Sequence, residues 1–259
     1  MSKLNIIKIG GNIVENESAL RNFVKDFSDL EGKKILVHGG GKIASKLAND
    51  LGIEAKMIHG RRITDSETLK IVTMVYAGLA NKTIVALLQA NKCDAIGLSG
   101  ADANSIQTEK RPVREIDYGF AGDITSKSVN AKRIQSLLDI NLCPVFSAIT
   151  HNGDGQLLNT NADTIASALA IGLAPYYDVS LIYCFEKKGV LKDVNDDTSV
   201  IQYINASNYQ SLKEHGIIAD GMIPKLDNAF EALSLGVKNV IIKHADDLTN
   251  LQAGTIINE

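Results

Sequence analysis

Two spacings of apolar residues alternate along the chain. Short runs dense in Ile, Leu and Val occur at Leu4–Ile9, Lys34–His38, Asp94–Leu98, Cys143–Ile149, Val179–Cys184 and Asn239–Lys243. Near-continuous runs of this kind mark strands buried on both faces of a parallel sheet. Between them the spacing shifts to three and four residues. Ser18–Leu30 and Ile43–Leu51 read as amphipathic helices, and Ile223, Leu226, Phe230 and Leu233 form a stripe along another. Pro224 in the first turn of that helix and Gly236 beyond its end are start and stop signals. The stretch "TDSETLKIVTMVYAGLANKTIVALLQANK" opens with Thr64 and Glu67 as a capping box and stays apolar for most of its length. A helix of that length and character belongs either to the central core or to a subunit interface.

Strand–helix alternation predicts an α/β fold, an αβα sandwich with a mainly parallel central sheet and right-handed crossovers. No low-complexity linker divides the chain. The break "AIGLAPYYD", Ala170–Asp178, ends a helix and restarts at Pro175, and it predicts two lobes, 1–174 and 175–259.

Composition narrows the function class. With 259 residues, 45% apolar and 22% charged, the chain can bury a large core. A net charge of −3 without a basic block speaks against nucleic acid as a partner. No uninterrupted apolar run reaches the ~18 residues of a membrane helix, so no membrane is expected. The start "MSKLNIIKIGG" enters a strand directly, with no signal-peptide pattern. Cys93, Cys143 and Cys184 are odd in number and no CxxC joins them, which fits a reduced, cytoplasmic protein without a structural zinc. Trp is absent and Phe and Tyr number only 6 and 7, so aliphatic side chains must fill the core.

The candidate chemistry lies in glycine-rich loops and two lysines. "IIKIGGN" places Lys8 near the end of the first strand, followed by Gly10 and Gly11, and "HGGGK" puts Gly39, Gly40 and Gly41 before a helix. Loops after parallel strands emerge at one edge of the sheet, where α/β ligands bind, and helix N-termini attract anions. A third loop, "LNTNADTIASALA", offers Asn161 as a cap and Asp163 in the first turn. Gly pairs are common in plain tight turns, and Asp163 would suit the helix dipole whatever its function. Lys225, after "DGMIP", could be a solvated first-turn lysine. Lys8 is different, because a lysine in an apolar strand calls for a buried partner.

"GGGKIA" also fits the GxGxxA dinucleotide fingerprint, with Asp50 and Glu54 downstream, but it follows the second strand rather than the first. The sequence contains no GxxxxGK[ST], and "DGM" at Asp220–Met222 has no HRD to accompany it as a protein-kinase motif.

"KIGGN", "VHGGGK", "HGRRIT", "ANKTIVALL", "GLSGADAN", "LNTNADTIASALA" and "DGMIPK" together resemble, in order and spacing, the acylglutamate kinases of the amino acid kinase family. The resemblance covers essentially the whole chain. It implies phosphoryl transfer from ATP, with Mg²⁺, to the side-chain carboxylate of an N-acylglutamate in arginine biosynthesis. The acyl group would be acetyl, with succinyl as the alternative. A non-catalytic amino-acid sensor of the same fold is a further possibility, against which the presence of both Lys8 and Lys225 argues. The resemblance assigns Lys8 and Lys225 to the transferring phosphoryl group and Asp163 to orienting both. Gly11 and Gly40 would offer N–H groups to phosphoryl oxygens. Gly40, Gly41, Arg62 and Asn159 would hold the acylglutamate, with Mg²⁺ riding on phosphate oxygens and no protein side chain assigned to it.

The nucleotide contacts fall to Glu186, Gly189 and Gly221, where "YCFEKKGVL" departs from the family's usual "SDVxGV". The first lobe would bind acylglutamate and dimerise, and the second would bind nucleotide. Because the first strand begins at Leu4, the resemblance further implies a homodimer, paired through the helical region Asp65–Lys92, with little arginine inhibition.

Overall fold

In a computed structural model describing residues 1–58, 60–218 and 222–258, all six predicted runs enter one eight-stranded sheet. Its strands are β1 Lys3–Ile9, β2 Lys33–His38, β3 Ala95–Leu98, β4 Cys143–Ser147, β5 Asp178–Phe185, β6 Tyr203–Ile204, β7 Asn239–His244 and β8 Thr255–Ile257. The spatial order is β6–β8–β7–β5–β1–β2–β4–β3. Neighbours from β7 through β3 are parallel, and β8 runs antiparallel to β7. The Ala170–Asp178 break leads directly into β5, which pairs with β1, so the sheet continues across it.

Among the described residues, eight helical segments cover the sheet: α1 Gly11–Glu15, α2 Glu17–Asp29, α3 Gly41–Asp50, α4 Ser66–Ala90, α5 Ala131–Asp139, α6 Ala162–Leu173, α7 Ala206–Glu214 and α8 Ile223–Ser234. In α2, Leu20, Phe23, Val24 and Phe27 are buried at helical spacing, and the Asn16 side chain caps the start by accepting from the Ala19 N–H. Along β1 the side chains alternate. Leu4 and Ile6 join the core beneath α6, with Ile165, Ala166 and Leu169, while Ile7 and Ile9 join Phe23 and Phe27 of α2. The same alternation sends Lys8 out on the α6 face, at the carboxyl end of β1.

Three expectations need correction. The cap of α4 is Asp65, whose carboxylate accepts from the Thr68 N–H at 2.8 Å, and not Thr64. Thr64 is buried and turned inward, donating to the Arg62 carbonyl. The second correction concerns α4 as a whole. Although no uninterrupted run is long enough, this 25-residue helix is by length and composition apolar enough to cross a membrane. It starts in one core layer, with Ile71, Val72 and Tyr76, and ends in the other, with Ala80, Ile84 and Leu88, while Met74 and Leu79 face outward. Its middle, Thr73–Ala80, takes the wider π register, a local irregularity often found near functional sites. The predicted strand Cys143–Ile149 also divides: Ile149–His151 leaves the sheet and pairs antiparallel with Leu157–Asn159.

Candidate active site

Lys8, Asp163 and Lys225 converge, though they come from a strand and two separate helices. Asn161 caps α6 by accepting from the N–H groups of Asp163 and Thr164 at 2.8 and 3.2 Å, which fixes Asp163 in the first turn. Lys8 Nζ lies 2.7 Å from Asp163 Oδ1, and Lys225 Nζ lies 3.8 Å from Oδ2. Their side chains are only 14%, 25% and 35% exposed for Lys8, Asp163 and Lys225, so the charges interact with limited screening. Burial pushes the Asp163 carboxyl up, but the two ammonium groups outweigh it and hold the group below the usual carboxylate range. Lys225 also lies over the Phe185 ring, 4.7 Å from its centroid.

Beside this cluster is a cleft of about 200 Å³ whose wall includes Gly40, Gly41, Arg62, Asn159 and Ala162. Arg62 is nearly buried, and its Nη2 donates to the Gly41 carbonyl and to Ser45 Oγ, both at 2.8 Å. These bonds fix the plane of a guanidinium suited to a carboxylate. Asn159 Nδ2 donates to Thr64 Oγ1 at 2.9 Å, and its backbone N–H donates to the Phe120 carbonyl.

The glycines have different reasons to lack a side chain. A Cβ on Gly40 would stand 2.9 Å from Cδ1 of Tyr76, so the approach of that ring excludes it. A Cβ on Gly11 would meet nothing within 4 Å. No packing within the protein demands glycine there.

His38 was not among the expected site residues. It is fully buried, its Nδ1–H donates to the Gly39 carbonyl at 2.8 Å, and its Nε2 accepts from Asn81 Nδ2 at 3.0 Å. Asn81 also donates to the Val145 carbonyl and accepts from Lys82 at 3.1 Å. The imidazole is therefore a neutral strut between α4 and the glycine loop, and burial lowers its pKa to about 4. The sequence signal was a polar residue in register with buried Leu36, directly before three glycines.

The nucleotide candidates are less concentrated. Glu186 is exposed in the turn after β5. Gly189 is buried, and a Cβ there would fall 2.7 Å from Thr255 Oγ1, so packing against β8 is sufficient to require glycine. Gly221 lies outside the described residues. Among the described residues, no group of three or more His, Cys, Asp or Glu side chains could hold a metal ion.

The acetylglutamate kinase of Cytophaga hutchinsonii is 56% identical over 252 residues, spanning 97% of this chain and 95% of that one. That of Phocaeicola vulgatus is 55% identical over 257 residues, spanning 99% of both. Among solved structures, smu.665 from Streptococcus mutans superposes with a TM-score of 0.79 at 27% identity, covering 98% of each chain. Residues 3–244 match the amino acid kinase family, and the chain belongs to that family.

Proposed function

We propose that the protein transfers the γ-phosphoryl group of ATP to the side-chain carboxylate of N-acetyl-L-glutamate, giving N-acetyl-L-glutamyl 5-phosphate, a step of arginine biosynthesis. The observation that carries this reading is the bridge of Asp163 between Lys8 and Lys225 beside a cleft walled by Arg62 and Asn159. The likeness to acetylglutamate kinases over nearly the whole chain supports the acyl group.

The chemistry requires no base. A Glu-type carboxylate, of ordinary pKa ~4.3, is already ionised at neutral pH. The obstacle is an anion approaching a polyanion: like unit charges about 4 Å apart repel by about 4 kcal/mol at an effective dielectric near 20. Lys8 opposes this repulsion from the acylglutamate side and Lys225 from the nucleotide side, with Asp163 keeping both aimed. The backbone N–H groups of Gly11 and Gly40 bind phosphoryl oxygens as charge builds on them. Arg62 holds the α-carboxylate and Asn159 the neighbouring polar end.

Mg²⁺ would be bound by phosphate oxygens and water, as that ion prefers. The described side chains provide no carboxylate cluster for it, and Asp163 is committed to the two lysines.

Residues 1–174 serve as the acylglutamate lobe and 175–259 as the nucleotide lobe, where Glu186, Gly189 and Gly221 remain the candidates for adenosine contact. Two copies pair through α4, a reading supported by its outward Met74 and Leu79.

A second acyl group, succinyl, draws support from Arg61 and Arg111, which line the same cleft as Arg62. Arg111, however, is bound through its guanidinium to Asp123 and stacked 5.0 Å from the Tyr118 ring centroid. That pairing favours a neutral acetyl group. ADP release measured in parallel with N-acetyl-, N-succinyl- and free L-glutamate separates these cases. Turnover with the acetyl compound above the other two is expected, and preference for the succinyl compound would transfer the assignment to it.

A further inference from the structure

At the amino end of the sheet, remote from the carboxyl end where Lys8 emerges, the structure joins two cysteines that lie far apart in sequence. Ala95 and Cys143 are register partners of β3 and β4, and the Cys143 N–H donates to the Asp94 carbonyl at 2.8 Å. Cys93 stands two residues before Ala95, and all three side chains belong to the same core cluster. Cys93 and Cys143 both line a surface pocket of about 380 Å³, together with Lys33, Lys34 and Lys92.

Lys34 is nearly buried and anchored through Nζ to the Ser28 and Leu30 carbonyls, both at 2.7 Å, so its charge is held beside the thiols. We propose that Cys93 and Cys143 are a modification site, oxidised reversibly to an intramolecular disulfide by a small peroxide that enters this pocket.

The neighbouring Cys143 thiol, foremost, and the Lys34 charge lower the pKa of Cys93, favouring it as the nucleophile. Its thiolate attacks one oxygen of hydrogen peroxide, and the O–O bond breaks. The departing hydroxide takes a proton as water and leaves a sulfenic acid on Cys93. The Cys143 sulfur then attacks the Cys93 sulfur, forming the S–S bond, and the sulfenic oxygen leaves as a second water with the Cys143 proton. Two thiols lose two electrons and one peroxide gains them. The third cysteine, Cys184, is wholly buried in β5, and desolvation pushes its thiol up to about 12, so it stays reduced.

The test exposes the full-length native protein to hydrogen peroxide, quenches it, unfolds it in iodoacetamide and reads peptide masses without reductant. The expected result is a Cys93–Cys143 linked peptide, alkylation of Cys184 alone, and recovery of all three alkylated thiols after dithiothreitol. The Cys184→Ser variant should form the same link. Full alkylation of Cys93 and Cys143 after peroxide would overturn the proposal, as would oxidation stopping at Cys93 or a link to Cys184. Because the wild-type map is decisive, the conclusion does not depend on whether Cys93→Ser or Cys143→Ser folds.

Discussion

Replacing Asp163 by Asn removes one charge while keeping the side chain's shape, so it isolates the role of Asp163 in organising the two lysines. At an effective dielectric near 20, opposite unit charges at the Lys8 distance of 2.7 Å attract by about 6 kcal/mol, and at the Lys225 distance of 3.8 Å by about 4 kcal/mol. These are gross values. Burial of the carboxylate opposes them, and water screens Lys225, whose side chain is 35% exposed. Breaking a buried pair by removing one partner costs about 3–5 kcal/mol, and losing that much lysine positioning in the transition state would lower kcat by roughly two to four orders of magnitude. KM for the acylglutamate should stay within a few-fold, because Arg62 and Asn159 are untouched.

Coupled ADP-release kinetics across the pH range, with thermal melts as a control, would measure this. The two ammonium groups hold Asp163 below its ordinary value of 3.8. Its pairing therefore contributes stability that is complete above that value and is lost as pH falls through the lower folded-state pKa. The variant should lack this acid-side loss. A kcat within about threefold of wild type would refute the organising role. A deficit that disappears on raising the pH would instead make Asp163 a base.

Gly11→Ala should leave the melting temperature unchanged but lower kcat, because its Cβ would meet no protein atom within 4 Å and would crowd the phosphoryl position proposed beside it. Gly40→Ala should destabilise by about 1–3 kcal/mol through overpacking on Tyr76, and denaturant melts of this variant with and without Tyr76→Leu would show the rescue. Arg62→Lys should raise KM for the acylglutamate by about 10–100-fold, from loss of the planar fork, with a smaller change in kcat by steady-state kinetics. His38 is held neutral by burial, with its pKa lowered from 6.5 to about 4, so folding stability should drop by about 2 kcal/mol between about pH 7 and pH 5. Urea melts at the two pH values should show that drop in wild type and not in His38→Gln. Sedimentation in dilute buffer should give a dimer, and Met74→Glu should shift it toward monomer.

The parallel sheet was legible because six strands are aliphatic enough to stand out from the helical spacing around them. The short β6 and β8, "YI" and "TII", lack that signal, since pairing with each other and with β7 defines them. Lys8 was visible as a lysine in an apolar strand. That Asp163 lies between it and Lys225 depends on how α6 and α8 pack, which no local pattern encodes. His38 went unmarked beyond the end of a strand because its partner Asn81 is 43 residues distant. Gly189 illustrates the opposite limit: a glycine near an expected ligand has a sufficient reason in its contact with Thr255. The choice of Asp65 over Thr64 as helix cap turned on a single residue, with Thr64 drawn inward by Arg62 and Asn159.

The most direct test of the central claim is to detect the acyl phosphate itself. With Mg·ATP, N-acetyl-L-glutamate and hydroxylamine, the protein should release ADP and form the hydroxamate in equal amounts, and Lys8→Met should abolish both together. ADP formed without hydroxamate would mean that phosphoryl groups pass to water or to another acceptor, and the carboxylate-phosphorylation account would be wrong.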